Sequence, residues 1–181
     1  MADMGDDGFT EFCDVEWPRL VNALGMYTGD VLVAQELAQE ALTRAYQRWG
    51  TVSSLESPGG WTRKVAINLA RSSMRRRHAE LRALSRARQA ARIGVPTSPV
   101  DSDDALVVRD ALTALDDKQR QVLVCRFYLD LSVDDTAATL RLSDANVRVI
   151  THRGLRLLAG LIEPGPGHRS PVPITTRDEN S

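Results

Sequence analysis

The stretch Leu131–Arg148, LSVDDTAATLRLSDANVR, decides how the chain is read. Ser132 followed by Asp135 is a capping-box pattern that opens one short helix, and Ser143 is an N-cap for the next. Leu140-Arg141-Leu142 leaves only a tight connection between them. Helices joined so closely must cross, and a crossing needs a small residue, which Ala137 supplies. Arg141 then occupies the turn, where a positive φ makes glycine the usual residue, so a strained arginine is expected there. Val147 anchors the second helix. This is the pattern of a helix-turn-helix. On the second helix Val147, Ile150, Thr151, Gly154 and Leu158 share one face. Asp144, Ala145, Arg148, His152 and Arg156 lie on another, which would face a major groove. A plain helical hairpin with a solvated face fits the same pattern, so a second observation is needed.

Trp61–Arg92 provides it. The segment holds ten Lys or Arg against a single acid, Glu80. A helix starting near Pro58 carries Trp61, Val65 and Leu69 as an apolar stripe. Lys64, Asn68, Arg71 and Arg75 form a polar stripe about 120° round the helix. One face is expected to meet a core and the other an anion. Charge is blocked along the chain: net −7 over residues 1–60, +9 over 61–92 and −3 over 93–181, although the total is only −1. The basic block suits a phosphate backbone, and the acidic N-terminal part suits a basic protein surface.

Outward from these segments the reading is all-α. Phe9 to about Tyr27 predicts a helix that Pro18 interrupts or restarts. Asp30 caps a second, whose Ala34, Ala38, Ala41, Ala45 and Trp49 recur at helical spacing, with Glu36, Gln39 and Glu40 on the opposite face. Residues 50–60 read as a polar loop. Ala105–Leu115 and Lys118–Leu129 read as helices of a second region. Four units follow: a helical domain over 9–92, a flexible linker over 93–104, a helical domain over 105–161 and a tail without a core over 162–181. The Pro-, Ser- and Asp-rich linker cannot itself fix an interface, so the two domains are expected to move independently.

Cys13 and Cys125 stand apart from each other and from His at ligand spacing, so buried thiols are expected and neither a zinc site nor a disulfide is supported. No metal or other cofactor is expected. His78, His152 and His168 lie in Arg-rich or tail contexts, with no nucleophile–base pair or carboxylate cluster, which argues against an enzyme. No signal-peptide pattern and no long apolar run occur, so a cytoplasmic location without membrane insertion is expected.

Together the two segments resemble a known family. Asp30 through Trp49, then Pro58-Gly59-Gly60-Trp61, Lys64, Asn68 and Arg75-Arg76-Arg77, resemble conserved region 2 of RNA polymerase sigma factors. Ala111 to Arg120 and Leu129 to Arg153 are similar to region 4. The order and spacing are those of the extracytoplasmic-function (ECF) group. The resemblance implies that Glu36, Gln39 and Glu40 dock on the clamp of the β′ subunit of core RNA polymerase. It implies that Asn68 reads a base of the −10 element while Lys64, Arg71, Arg75 and Arg76 hold phosphates. Asn146, Arg148, His152 and Arg156 would meet the −35 element of promoter DNA. An anti-sigma factor is a partner that the family implies. The chain departs from the family pattern at Asp116, where proline is usual, at Ser72, where aspartate is frequent, and at Ile150, where a basic residue is common. From Ile150, Arg141 and Asp144 a weak reading of −35 is expected. A free-standing helix-turn-helix regulator is the alternative, but it leaves the acidic face of the second helix without a role.

Overall fold

A computed structural model describes residues 6–87 and 103–162, and among them every regular element is helical. The first four helices are α1 (Asp6–Thr28), α2 (Val31–Tyr46), α3 (Trp49–Val52) and α4 (Pro58–Ala87). The second group is α5 (Asp103–Ala114), α6 (Asp117–Leu123), which continues as a π-helical turn over Val124–Tyr128, α7 (Val133–Leu140) and α8 (Asp144–Leu161). Asp103 and Asp104 of the expected linker open α5; the rest of it, and the tail beyond Ile162, lie outside the described residues.

The alanine periodicity of α2 is borne out. Ala34, Ala38, Ala41 and Ala45 are wholly buried, and Asp30 Oδ1 accepts from the N–H groups of Leu32 and Val33 at 3.0 and 3.2 Å. Small side chains let α1 and α4 close on α2. The helix stops at Tyr46, short of the expected Trp49, which instead starts α3. Trp49 then packs with Phe9 and Phe12 at ring separations of 5.1 and 5.0 Å, tying the start of α1 to α3.

Two expectations need correction. Pro18 sits inside α1 without ending it. A mid-helix proline costs ~3 kcal/mol, but α1 buries Leu20, Ala23, Leu24 and Tyr27 completely, and such burial recovers ~1.5–3 kcal/mol per large side chain. On α4 the buried apolar side chains are Ala66, Ile67, Ala70 and Met74, with Thr62 buried beside them, while Trp61, Val65 and Leu69 are only partly covered. The expected stripe is therefore the flank of the buried face.

The second region follows its caps. Asp116, standing where relatives carry proline, closes a full capping box on α6: its carboxylate accepts from Gln119 N–H at 2.7 Å, and Gln119 Oε1 accepts from Asp116 N–H at 3.4 Å. Ser132 Oγ caps α7 through Asp135 N–H at 2.9 Å. Arg141 ends α7 at φ 56°, ψ 50°, the left-handed arginine expected from the turn. Cys125 is buried in the π-helical turn, and burial pushes its thiol up to about 12; Cys13, expected buried, is only half-covered.

The two regions stand against each other in this structure, and a single apolar cluster runs through both. Among the described residues the polar ties of the seam start from α1 and α4. Tyr27 Oη donates to Asp117 Oδ1 at 3.0 Å and accepts from Gln121 Nε2 at 3.1 Å. Burial, reinforced by the charge of Asp117, pushes the Tyr27 phenol upward, so it stays a neutral donor. Arg63 Nη1 donates to Leu129 O at 3.3 Å. A tyrosine at the end of one helix thus fixes a contact that sequence periodicity assigns only to an apolar position.

Candidate nucleic-acid interface

Three surfaces gather the residues singled out by the sequence. On α2 the buried alanines force Glu36, Gln39 and Glu40 outward, and all three are exposed. Glu40 accepts from Arg44 Nε at 2.7 Å, a half-exposed pair one turn apart. Such a pair is worth little to stability, and both groups stay available to a partner.

On α4 the polar stripe lies beside the buried Ala66–Ala70–Met74 face. Asn68, Arg75 and Arg76 are exposed, while Lys64 and Arg71 are half-buried. Asn68 borders a cleft of about 270 Å³ lined also by Arg44, Val65, Leu69 and Ser72. Ser72 is part of a short relay: its hydroxyl donates to Asn68 O at 3.0 Å and accepts from Arg75 Nη2 at 3.2 Å. The side-chain amide of Asn68 accepts from Arg71 Nη1 at 3.4 Å. The cleft thus has a mixed lining, with Val65 and Leu69 on its apolar side, the Asn68 amide and Ser72 hydroxyl on its polar side, and guanidinium groups beside it. That set of groups suits an unpaired base whose edge meets the amide and whose phosphates meet the cations.

Lys64 and Arg71 differ from the rest of the stripe, because each is engaged by α7. Lys64 Nζ pairs with Asp135 Oδ1 at 2.5 Å, and Arg71 Nη1 donates to Thr139 O at 2.8 Å. The Lys64 ammonium, with the Ser132 hydroxyl, holds the Asp135 carboxyl below its usual range. Arg63, counted in the basic cluster, is turned inward. It grips Glu16 through Nη2 and Nε at 2.6 and 2.9 Å, with Glu16 nearly fully buried. Gly59 lies so close to this pair that a Cβ there would stand 2.6 Å from Glu16 Oε1. Gly59 thereby makes room for a buried ion pair, while a Cβ at Gly60 would meet Ser57 Oγ at 2.7 Å. Glu16 shares the apolar face of α1 with Leu20 and Tyr27, and an acid on a core face was the available signal.

On α8 the expected division of faces holds. Val147 and Gly154 are buried, and Ile150 and Leu158 pack against the core. Asn146, Arg148, His152 and Arg156 are exposed on the outer side, with Ser143 Oγ capping the helix through Asn146 N–H at 3.3 Å. Ile150, where a basic residue is common, has a packing role. Its identity therefore says less about DNA contact than the bare substitution suggested.

Comparison with known proteins agrees with this layout. Residues 17–80 match the family described as Sigma-70 region 2, and residues 111–159 match Sigma-70, region 4. The chain is 30% identical over 155 residues to the RNA polymerase sigma-E factor of Streptomyces coelicolor, covering 83% of each chain. It belongs to the ECF group of RNA polymerase sigma factors. The ECF RNA polymerase sigma factor SigX of Bacillus subtilis is 41% identical over 54 residues, 28% of each chain. In fold the sigma factor resembles RpoE of Bartonella quintana, solved in complex with the anti-sigma factor NepR. The TM-score is 0.66 at 20% identity, over 85% of this chain and 96% of that one. Among the described residues no helix is long and apolar enough to cross a membrane.

Proposed function

We propose the following division of labour for this sigma factor in promoter-specific initiation. The exposed Glu36, Gln39 and Glu40 of α2 dock on the β′ clamp of core RNA polymerase. Asn68 reads an unpaired base of the −10 element at the α2–α4 cleft, while Lys64, Arg71, Arg75 and Arg76 hold phosphates. Asn146, Arg148, His152 and Arg156 on α8 meet the −35 duplex. The functional units run over 9–92 and 105–161. The chain carries no catalytic residue and no cofactor, acts in the cytoplasm, and has an anti-sigma factor as a further partner. One observation carries the reading: an exposed amide beside Val65 and Leu69 in a cleft between α2 and α4, flanked by exposed arginines.

Two expected results test it. Asn68→Ala relaxes base preference at one −10 position, at ~1–3 kcal/mol for the best base, whereas Arg75→Ala weakens all promoters alike, because a phosphate contact carries no sequence information. Transcription from a library of −10 variants by reconstituted holoenzyme separates the two, and equal, sequence-independent losses would reject the assignment. Gln39→Ala and the charge reversal Glu40→Lys each weaken binding to core polymerase, by ~1 kcal/mol or more where the side chain sits at an interface hot spot. Their thermal melts stay near that of the parent, since neither side chain is buried. Unchanged affinity of both variants for core enzyme in a titration would remove α2 as the docking face.

A further inference from the structure

The cleft between α2 and α4 draws its polar groups from both helices, and their chemistry is one-sided. Asn68 and Ser72 come from α4, and Arg44 comes from α2. Ser72 has its hydroxyl engaged twice, donating to Asn68 O and accepting from Arg75 Nη2. Arg71, one turn further along α4, donates to Asn68 Oδ1 at 3.4 Å. A guanidinium can only donate, so this contact sets the amide oxygen against Arg71 and leaves the amide nitrogen, with its two N–H groups, for a guest. Arg44 gives one donor, Nε, to Glu40 at 2.7 Å. Its Nη1 and Nη2 groups keep their hydrogens, and the side chain is 49% exposed. Both helices thus bring donors to the cleft, and Val65 and Leu69 beside them bring no polar group.

We propose that Arg44 and Asn68 act as a donor pair across this cleft, selecting an unpaired base that carries a carbonyl oxygen and disfavouring adenine. The inference rests on the reading of the cleft as the −10 base site, and adds to it a second base-reading residue and a chemical rule. A carbonyl oxygen has two lone pairs and can accept from both sides at once, whereas a ring nitrogen has one. Guanine, cytosine and thymine each carry such an oxygen. Adenine carries none, and its exocyclic amino group is a further donor. Held between two donor groups, adenine leaves one of them without an acceptor, and a donor stripped of water and left unpaired is costly. Arg44 lines the cleft itself, as Arg75 and Arg76 do not, so its guanidinium meets the base while theirs stay outside for phosphates. The planar fork of Arg44 adds direction that a point charge lacks.

The test uses holoenzyme reconstituted from the full chain at saturating core polymerase, with promoter DNA already melted across the −10 element. Each non-template base of the element is set in turn to A, C, G or T, and affinity is read by competition. Prior melting removes the cost of opening the base pair, so the ratios report recognition. Asn68→Ala locates the position, as the one whose preference it flattens. There the parent is expected to bind the best carbonyl-bearing base about tenfold more tightly than adenine. Arg44→Ala should bring that ratio to about twofold or below. Arg48→Ala, which removes the same charge from an exposed site off the cleft, should leave it unchanged. Arg44→Lys keeps the charge without the fork and should recover only part of the selectivity. Adenine bound as tightly as the best base would overturn the donor pair and leave the base-reading cleft standing. So would equal effects of Arg44→Ala and Arg48→Ala, or full recovery by lysine, since charge alone would then suffice. If Asn68→Ala flattens no position, the cleft is not the base site and both readings fall.

Discussion

Glu16→Ala is expected to lower the stability of the folded chain by about 3 kcal/mol, the lower end of the range for stranding one member of a buried ion pair. The Glu16 and Arg63 side chains are 4% and 13% exposed, and two hydrogen bonds join them. Deleting the carboxylate leaves a guanidinium with little water and one long contact, Leu129 O at 3.3 Å. That contact and the residual exposure keep the loss from reaching the upper end. For a chain of this length the change corresponds to a fall of about 10 °C in melting temperature. Glu16 also links three elements, since Arg63 lies on α4 and Leu129 closes the π-helical turn of the second region. The seam between regions should therefore loosen along with region 2. The double variant Glu16→Met/Arg63→Met removes both charges and fills similar volume, so it should recover most of the loss. Thermal melts of the three proteins decide the matter. A single variant within about 0.5 kcal/mol of the parent, the usual range for a neutral surface change, would show that the pair is dispensable.

The helices were legible because periodicity and caps are local. Asp30, Ser132 and Ser143 each cap the helix they precede in the sequence, and Ala34 to Ala45 fall on one buried face because helical geometry alone puts them there. The division of α8 into a core face and an outer face was legible for the same reason. What the sequence hid depends on partners far away in the chain. Pro18 reads as a break, and only the packing of α1 on its neighbours keeps the helix whole. Arg63 and Lys64 are adjacent basic residues in one cluster, yet one closes a buried pair with Glu16 and the other meets Asp135. Nothing local distinguishes them. Trp61, Val65 and Leu69 mark an apolar stripe by size, while the closest packing falls to the smaller Ala66 and Ala70 beside them. Departures from a family pattern misled in the same way. Asp116 and Ile150 look like losses until the capping box and the inner face of α8 give each a local use.

The seam between the regions combines a shared apolar cluster with polar ties: a tyrosine hydroxyl between Asp117 and Gln121, an arginine on a carbonyl, and a half-exposed ion pair. In this arrangement α7 partly covers Lys64 and Arg71 on α4.

Gly154→Leu is expected to destabilise the second region by about 3 kcal/mol and to take −35-dependent transcription with it. A Cβ at Gly154 would stand 2.9 Å from Leu123 Cδ1 and 3.2 Å from Leu123 Cγ. Leu123 is 1% exposed in the core. Two opposing effects set the sign. Replacing a mid-helix glycine gains up to ~1 kcal/mol of helix propensity, while forcing extra carbons into a packed core costs ~1–3 kcal/mol and occasionally more. For alanine the propensity gain offsets part of the overpacking, leaving a loss of about 1 kcal/mol. For leucine the added carbons all enter the space of Leu123, and overpacking wins. The lasting effect is on position, since α8 rests on α6 at this glycine and must tilt or lift to admit a side chain. Arg148, His152 and Arg156 ride on the outer side of the same helix and shift with it. Gly160, in the same helix, is the control, because a Cβ there would meet nothing within 4 Å. Gly160→Ala should be neutral or gain up to ~1 kcal/mol. Chemical denaturation of both variants, with transcription from promoters carrying an intact or scrambled −35 element, gives the readout. A Gly154→Leu protein that stays as stable as the parent and still distinguishes the two promoters would show that α8 is not held against Leu123.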